Sequence, residues 1–166
     1  MSRLKAQCIA AASLVYSLAS AQTVHPMGDV FDTPPKAASA KGKASCQVAQ
    51  KYVDNVNAGR YQDQGTLFAD DAVFVRPDGK VSRGAKEMGD FYKNFLGMMV
   101  PTIIPISFIA DGSECVMELA AITKLGGEEK YKLGAIDHFT VNKAGKIQHM
   151  VVFVRPDSIE AQKKAQ

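Results

Sequence analysis

The residue in this sequence best placed to do chemistry is an aspartate set among apolar neighbours. Residues 129–141 and 146–155 alternate with a period of two, and Asn142-Lys143-Ala144-Gly145 between them has turn composition, so the two stretches read as a hairpin. A four-residue loop pairs Val141 with Lys146, which sets Asp137 opposite Met150, Ala135 opposite Val152 and Leu133 opposite Val154. Asp137 then shares one face with Tyr131, Leu133, Ala135, Phe139, Met150, Val152 and Val154. An ionised, unpaired carboxylate there is costly. It must be protonated, paired with a cation, or open to a wet cavity. Full burial raises a carboxyl pKa by about 3–5 units, which makes it a hydrogen-bond donor able to stabilise a developing oxyanion. His138 and His149 fall on the opposite face with Val151 and Phe153 and read as surface or interface residues, although His is by type the usual general base. Asp70-Asp71 has the look of a metal-binding pair, but no third ligand lies near it in sequence, so a turn at a helix end is expected and no metal site. The chain has no Walker loop, no GxSxG, no CxxC and no Cys/His cluster, and no cofactor is expected.

These side chains need elements to hold them. Ala49, Tyr52, Val53 and Val56 fall at i, i+3, i+4, i+7, the apolar stripe of a helix that stops at Gly59. A short second helix is expected over 61–69, weakened by Gly65. Residues 72–76 form a short strand, Pro77-Asp78-Gly79 a turn, and 81–83 its return. Met88, Phe91, Tyr92 and Phe95 repeat the helical stripe, with Gly97 as its end. Met98, Met99, Ile103 and Ile104 read as core rather than as the mouth of a pocket. After Pro101 the period changes to two, with strands over 102–110, 115–124, 129–141 and 146–155. Helices first and an antiparallel meander after them argue an α+β fold, a curved sheet wrapped around about three N-terminal helices.

The chain has 166 residues, and 46% hydrophobic and 22% charged residues are ordinary for one globular domain. A net charge of +3 with no arginine-rich or aromatic-interleaved stretch argues against a nucleic-acid partner. Residues 1–21 read as an export signal: Arg3 and Lys5, an apolar run over 8–18, then Ala19-Ser20-Ala21 as the cleavage site. That run is too short to span a bilayer. The expected location is the periplasm or the exterior, with the cytoplasm as the alternative if the segment is retained. Cleavage removes Arg3, Lys5 and Cys8, lowers the charge to +1 and leaves Cys46 and Cys115, which either pair or stay as buried thiols. Residues 22–43, with Pro26, Pro34 and Pro35, read as a disordered linker, 44–157 as the domain and 158–166 as a tail.

Five segments carry a resemblance: Tyr52-Val-Asp-Asn-Val-Asn-Ala-Gly59, Leu67-Phe-Ala-Asp-Asp-Ala-Val-Phe74, Gly84 leading into Phe91-Tyr92, Ala135-Ile-Asp-His-Phe139, and Gly145-Lys-Ile-Gln-His-Met150. In order and spacing they resemble the nuclear transport factor 2-like superfamily, in its ketosteroid isomerase and SnoaL-like polyketide cyclase branch, over residues 46–156. The resemblance implies a cone with a ligand pocket at its open end. Carried over residue by residue, Tyr52 matches the oxyanion tyrosine and Asp137 the oxyanion aspartate. The position of the catalytic base falls on Arg76, which cannot act as a base at ordinary pH. A local shift would put Asp78 there instead, but Pro77-Asp78-Gly79 reads as a solvent-facing turn. That departure argues against ketosteroid isomerisation itself.

The resemblance therefore implies a small cofactor-independent enzyme of isomerase, lyase or cyclase type. It would act on an apolar carbonyl or aromatic compound by proton transfer with oxyanion stabilisation. Asp137, Tyr52 and Arg76 are its catalytic candidates, and Leu133, Phe139, Met150, Val152 and Val154 its substrate-binding wall. Arg76 either binds an oxygenated substrate group or reaches across to pair with Asp137. The alternative is a lipophilic-ligand-binding or dimerisation module without chemistry. A homodimer through the open sheet face is the partner the resemblance implies.

Overall fold

The computed structural model describes residues 37–125 and 128–155. Two α-helices, α1 (Gln47–Asn57) and α2 (Gly84–Met99), and a 3-10 helix between them (Tyr61–Leu67) lie against a six-stranded sheet. The strands are β1 (Phe68–Val75), β2 (Val81–Arg83), β3 (Thr102–Asp111), β4 (Glu114–Leu125), β5 (Glu128–Val141) and β6 (Ile147–Val154), in the order β2-β1-β6-β5-β4-β3. This is the expected α+β architecture with one amendment. The sheet is mixed, because β1 runs parallel to β6 while all other neighbours are antiparallel. Helix α2 and the rest of the sheet separate β1 from β6 in sequence, and so long a connection can return the chain in either direction, unlike a hairpin.

Helix α1 buries its predicted stripe, Ala49, Tyr52, Val53 and Val56, together with Val48. Gly59, at φ 70°, ends it where the sequence indicates. Helix α2 buries Met88, Tyr92 and Leu96 but runs through Gly97 to Met99; Val100, left-handed at φ 42°, donates its N–H to Leu96 O at 2.8 Å and closes it. Met98 is exposed rather than core. The expected second helix is instead the tighter 3-10 segment, and β1 begins at Phe68. Asp70 and Asp71 therefore lie on a strand and not at a helix end, and Asp71 Oδ1 accepts a hydrogen bond from Gln148 Nε2 at 2.9 Å.

The last hairpin corrects the expected register. Val141 pairs with Ile147, not Lys146, and an irregularity beside Thr140 shifts the ladder once more, so Asp137 faces Val152, Ala135 faces Val154 and Phe139 faces Met150. The total slip is two residues. A slip of one would have turned every side chain over; a slip of two keeps each on its predicted face.

The core fills the space between the helices and the inner face of the sheet, with Met88, Met117, Phe139, Ile147 and Met150 fully buried. Part of the stretch read as linker joins it: Ala40 is fully buried and Ala38 N–H donates to Pro105 O at 2.9 Å. Cys46, entering α1, is joined by a disulfide to Cys115 on β4. The proposed signal segment and C-terminal tail lie outside the described residues. Among the described residues no helix is long and apolar enough to cross a membrane.

Candidate functional site

A cavity of about 420 Å³ opens between α1, α2, the β1–β2 hairpin and the inner face of β3–β6. Its wall is mostly apolar, including Phe74, Phe91, Phe95, Leu96, Leu119, Ala121, Val152 and Val154. Its ionisable side chains are Tyr52, Arg76, Asp78, Lys80, Tyr92 and Asp137. They form two groups.

The inner group is Tyr52, Tyr92 and Asp137, all nearly inaccessible to solvent. Alternation along β5 points Asp137 inward between Ala135 and Phe139, and Tyr52, on the buried stripe of α1, lines the same cavity and feels its charge. The Tyr52 backbone carbonyl accepts a hydrogen bond from the buried Gln64 Nε2 at 2.9 Å, which ties the helix at that turn to the 3-10 segment. Burial pushes the Asp137 carboxyl up to about 8, so at neutral pH it is mainly protonated and a donor. Burial also pushes the Tyr52 hydroxyl far above its usual range, and the neighbouring Asp137 adds to this, while a hydrogen bond from Tyr92 opposes it. Tyr92 is raised by burial and then by Tyr52 and Asp137. Its hydroxyl oxygen lies 3.5 Å from Met150 Sδ, and its ring meets that of Tyr52 edge-on at 5.6 Å.

The outer group sits on the β1–β2 hairpin. Arg76 lies over the Phe91 ring, with Cζ 5.2 Å from the centroid, and forms an ion pair with Asp78, Nε to Oδ1 at 3.4 Å. Its partners are thus Asp78 and Phe91, and among the described residues it makes no ion pair with Asp137. Its Nε–H is buried and lacks a well-directed acceptor. Asp78 also accepts the Lys80 N–H at 3.1 Å, and this bond, more than the nearby cations, holds its carboxyl below the usual range. Asp78 is on the cavity wall as well as half open to solvent, so the reading of that turn as merely solvent-facing is incomplete.

Of the expected substrate wall, Val152 and Val154 line the cavity. Phe139 and Met150 do not; they are fully buried behind it, where Phe139 packs edge-on against Tyr52 at 6.1 Å. The two-residue register slip puts Val152 rather than Met150 opposite Asp137 and sets Met150 opposite the buried Phe139. The Leu133 side chain lies outside the described residues; its backbone pairs with Ala121. Met99 and Ile103, read as core, line the cavity. His138 faces away from it, as expected, and its Nε2 meets Glu114 Oε2 at 2.8 Å.

The sequence reading missed Tyr92 and Thr123. The signal for each was present, a hydroxyl in an otherwise apolar stripe of α2 and another on the inward phase of β4, but either pattern is also that of ordinary core. Among the described residues no group of three or more His, Cys, Asp or Glu is placed to hold a metal.

Similar cones are known. A Mycobacterium tuberculosis protein, RV0760c, solved in complex with estradiol-17beta-hemisuccinate, is 21% identical over 70% of this chain and 97% of its own, with a TM-score of 0.62. The epoxide hydrolase/cyclase-like enzyme SalBIII, of pyran ring formation in the polyether salinomycin, is 23% identical over 69% of this chain and 92% of its own, with a TM-score of 0.60. An M. tuberculosis LEH-like epoxide hydrolase is 13% identical over 74% and 91%, with a TM-score of 0.64. At these identities the likeness is one of fold. The model of the SnoaL-like domain family matches residues 49–150, from the first buried residues of α1 to the middle of β6, and the chain belongs to that family.

Proposed function

We propose that the protein is a small cofactor-independent enzyme of isomerase, lyase or cyclase type, acting on an apolar carbonyl or aromatic compound. The observation that carries this reading is the Asp137 carboxyl, buried on the wall of an apolar cavity and raised to about 8 by that burial. A substrate oxygen bound between Asp137 and Tyr52 receives two hydrogen bonds that strengthen as negative charge builds on it. Each such donor is worth about 10²–10³ in rate. The chain has Arg76 where the resemblance predicts the base, so the carboxylate left to accept a proton from carbon is Asp78. Its lowered pKa makes it a weak base, which restricts the reaction to substrates whose C–H is already acidified. Arg76, with its unsatisfied Nε–H, holds an oxygenated or anionic group at the mouth.

Asp137→Asn and Tyr52→Phe should each lower kcat on such a substrate by about 10²-fold or more with an unchanged circular dichroism spectrum. Wild-type turnover should fall as pH rises through about 8, where Asp137 loses its proton. Retained turnover in both variants would refute the mechanism. The Arg76–Asp78 pair at the position of the base supports a second reading, a lipophilic-ligand carrier without chemistry. A co-purifying apolar ligand in native mass spectrometry, with no turnover across a panel of carbonyl compounds, decides for it.

Export and self-association complete the proposal. The Cys46–Cys115 disulfide supports an oxidising compartment. On the outer sheet face Ile136 and Phe153 oppose each other across β5 and β6 while 45% and 60% exposed, which supports a homodimer there. Sedimentation velocity should show a dimer that Phe153→Lys dissociates; a wild-type monomer excludes this interface.

A further inference from the structure

The exposed large apolar side chains of the described residues fall into two patches. Val81, Ile109, Ile136 and Phe153 lie on the outer sheet face, in the outward phase of their strands. Phe95, Met98 and Val100 lie elsewhere, at the end of α2, and are 44%, 67% and 50% exposed. Phe95, Leu96, Met99 and Pro101 line the cavity, so Met98 and Val100 stand on its rim. The patch is continuous with the interior through aromatic rings. Phe95 stacks on Phe91 at 5.3 Å, Phe91 meets Phe74 at 5.7 Å, and Phe74 stacks on the buried Tyr92 at 5.9 Å.

Val100 supplies a second, independent observation. Its backbone is left-handed, at φ 42° and ψ 56°. A β-branched side chain crowds its own backbone there, and the following Pro101 restricts the residue further. The fold bears this strain and still leaves the valine side chain half in water. Neither backbone preference nor burial accounts for a valine at this place. Strained residues of this kind gather where a surface has a task.

Area and charge select the partner. The three side chains expose on the order of 300 Å², well under the roughly 800 Å² that each side of a standard protein interface buries. Around them three cations meet one carboxylate: Arg76 and Lys80 share Asp78, and Lys93 is exposed on the last turns of α2. Residues 91–99 include no acid. The acids before them are engaged, Asp90 with Lys86 Nζ at 2.6 Å and Glu87 with the Arg83 N–H at 2.8 Å. A small apolar patch flanked by lysines suits the headgroup region of an anionic bilayer, where apolar side chains sink about 5–10 Å and lysines stay among the phosphates. We propose that the mouth of the cone docks on a lipid bilayer bearing anionic headgroups, through Phe95, Met98 and Val100 with Lys80 and Lys93 beside them. Docking is peripheral and sets the cavity opening against the lipid. It rests on the reading of the cavity as a site for an apolar compound, which then passes between bilayer and pocket without crossing water, and not on the chemistry of Asp137.

The test is co-sedimentation with phosphatidylcholine vesicles, either neutral or carrying about one-third phosphatidylglycerol. Wild-type protein should prefer the anionic vesicles, and the preference should fade between about 0.1 and 1 M salt, as the screening length drops from about 10 Å to about 3 Å. Met98→Ser with Val100→Asn should bind at least about 10-fold more weakly. Neither residue lines the cavity, and asparagine accepts the left-handed backbone, so this variant should melt no lower than wild type. Lys80→Gln and Lys93→Gln should each lose about 5-fold on anionic vesicles. Phe153→Ser, in the other patch, should bind as wild type. The chain has no tryptophan, so Met98→Trp reports on this site alone. Its emission should shift to the blue on anionic vesicles and be quenched by brominated acyl chains, while that of Phe153→Trp should not. Failure of wild-type protein to bind anionic vesicles overturns the proposal, as does full binding by Met98→Ser/Val100→Asn or a loss confined to Phe153→Ser. A self-association that Met98→Ser/Val100→Asn abolishes, without vesicle binding, also overturns it and assigns the patch to a second copy. Binding is measured without substrate, so failure here leaves the Asp137 reading standing, and failure of that reading in turnover leaves the docking result unchanged.

Discussion

Asp137 carries a consequence for stability as well as for chemistry. Its folded pKa of about 8 lies well above the value near 3.9 of an unfolded aspartate, so between those limits the folded chain holds a proton that the unfolded chain has released. The contribution of this group to stability is therefore full below about pH 4. It is lost as pH rises toward 8, at about 1.4 kcal/mol per pH unit, and it changes no further above that. Asp137→Asn preserves shape and cannot ionise. Denaturant melts of both proteins from pH 5 to 9 should show the variant gaining on the wild type up to about pH 8 and then running parallel to it. Parallel curves throughout mean that the carboxyl is ionised in the fold, and an acidic donor at this position is then excluded. The hairpin alternation made the burial of Asp137 legible in sequence. That its partner is not Arg76 was not legible, because an arginine side chain reaches several places and the nearby Asp78 and Phe91 ring compete for it.

The elements around the site depend on one close approach. Gly65, in the 3-10 helix, faces α2 so tightly that a Cβ on it would stand 2.7 Å from Ala85 O and 3.0 Å from the Gly89 Cα. The contacting atoms are backbone and cannot swing aside. In the sequence Gly65 reads as a weakness in a helix; in the fold it lets α2 lie close enough to present Tyr92 beside Tyr52. Gly65→Ala should cost about 1–3 kcal/mol in chemical denaturation. It should also lower activity beyond the fraction unfolded, because α2 must back away and carry Tyr92 with it. A variant as stable as wild type would mean that the helices separate freely. Gly97 shows the opposite case: a glycine that reads as a stop lies within α2, because the next turn still gains by packing Met99 on the cavity.

For the molecule as a whole, the Cys46–Cys115 disulfide ties the entry of α1 to β4 across 69 residues of sequence. It constrains the unfolded chain, and its loss should cost about 2–5 kcal/mol. Reduction, or Cys46→Ala with Cys115→Ala, should lower Tm by on the order of 10 °C. An unchanged Tm on reduction would show that the thiols are free in solution and would remove the support for an oxidising compartment. The pairing could not be read from the sequence, where two cysteines so far apart look alike whether they meet or not.

Local chemistry was decided along the chain. Period and turn composition are properties of neighbouring residues, so the strands after Pro101, the stripe of α1 and the inward phase of Asp137 were all available from the amino-acid order. The face of Asp137 survived a two-residue error in register because faces repeat every second residue. Long-range placement was not available in this way. The parallel joining of β1 to β6, the absence of Met150 from the cavity wall, the seating of Arg76 over Phe91 and the unpartnered Thr123 hydroxyl all depend on which distant segments come together. That is settled by packing helices against one face of a sheet, where one small slip or one glycine contact moves a side chain from wall to core.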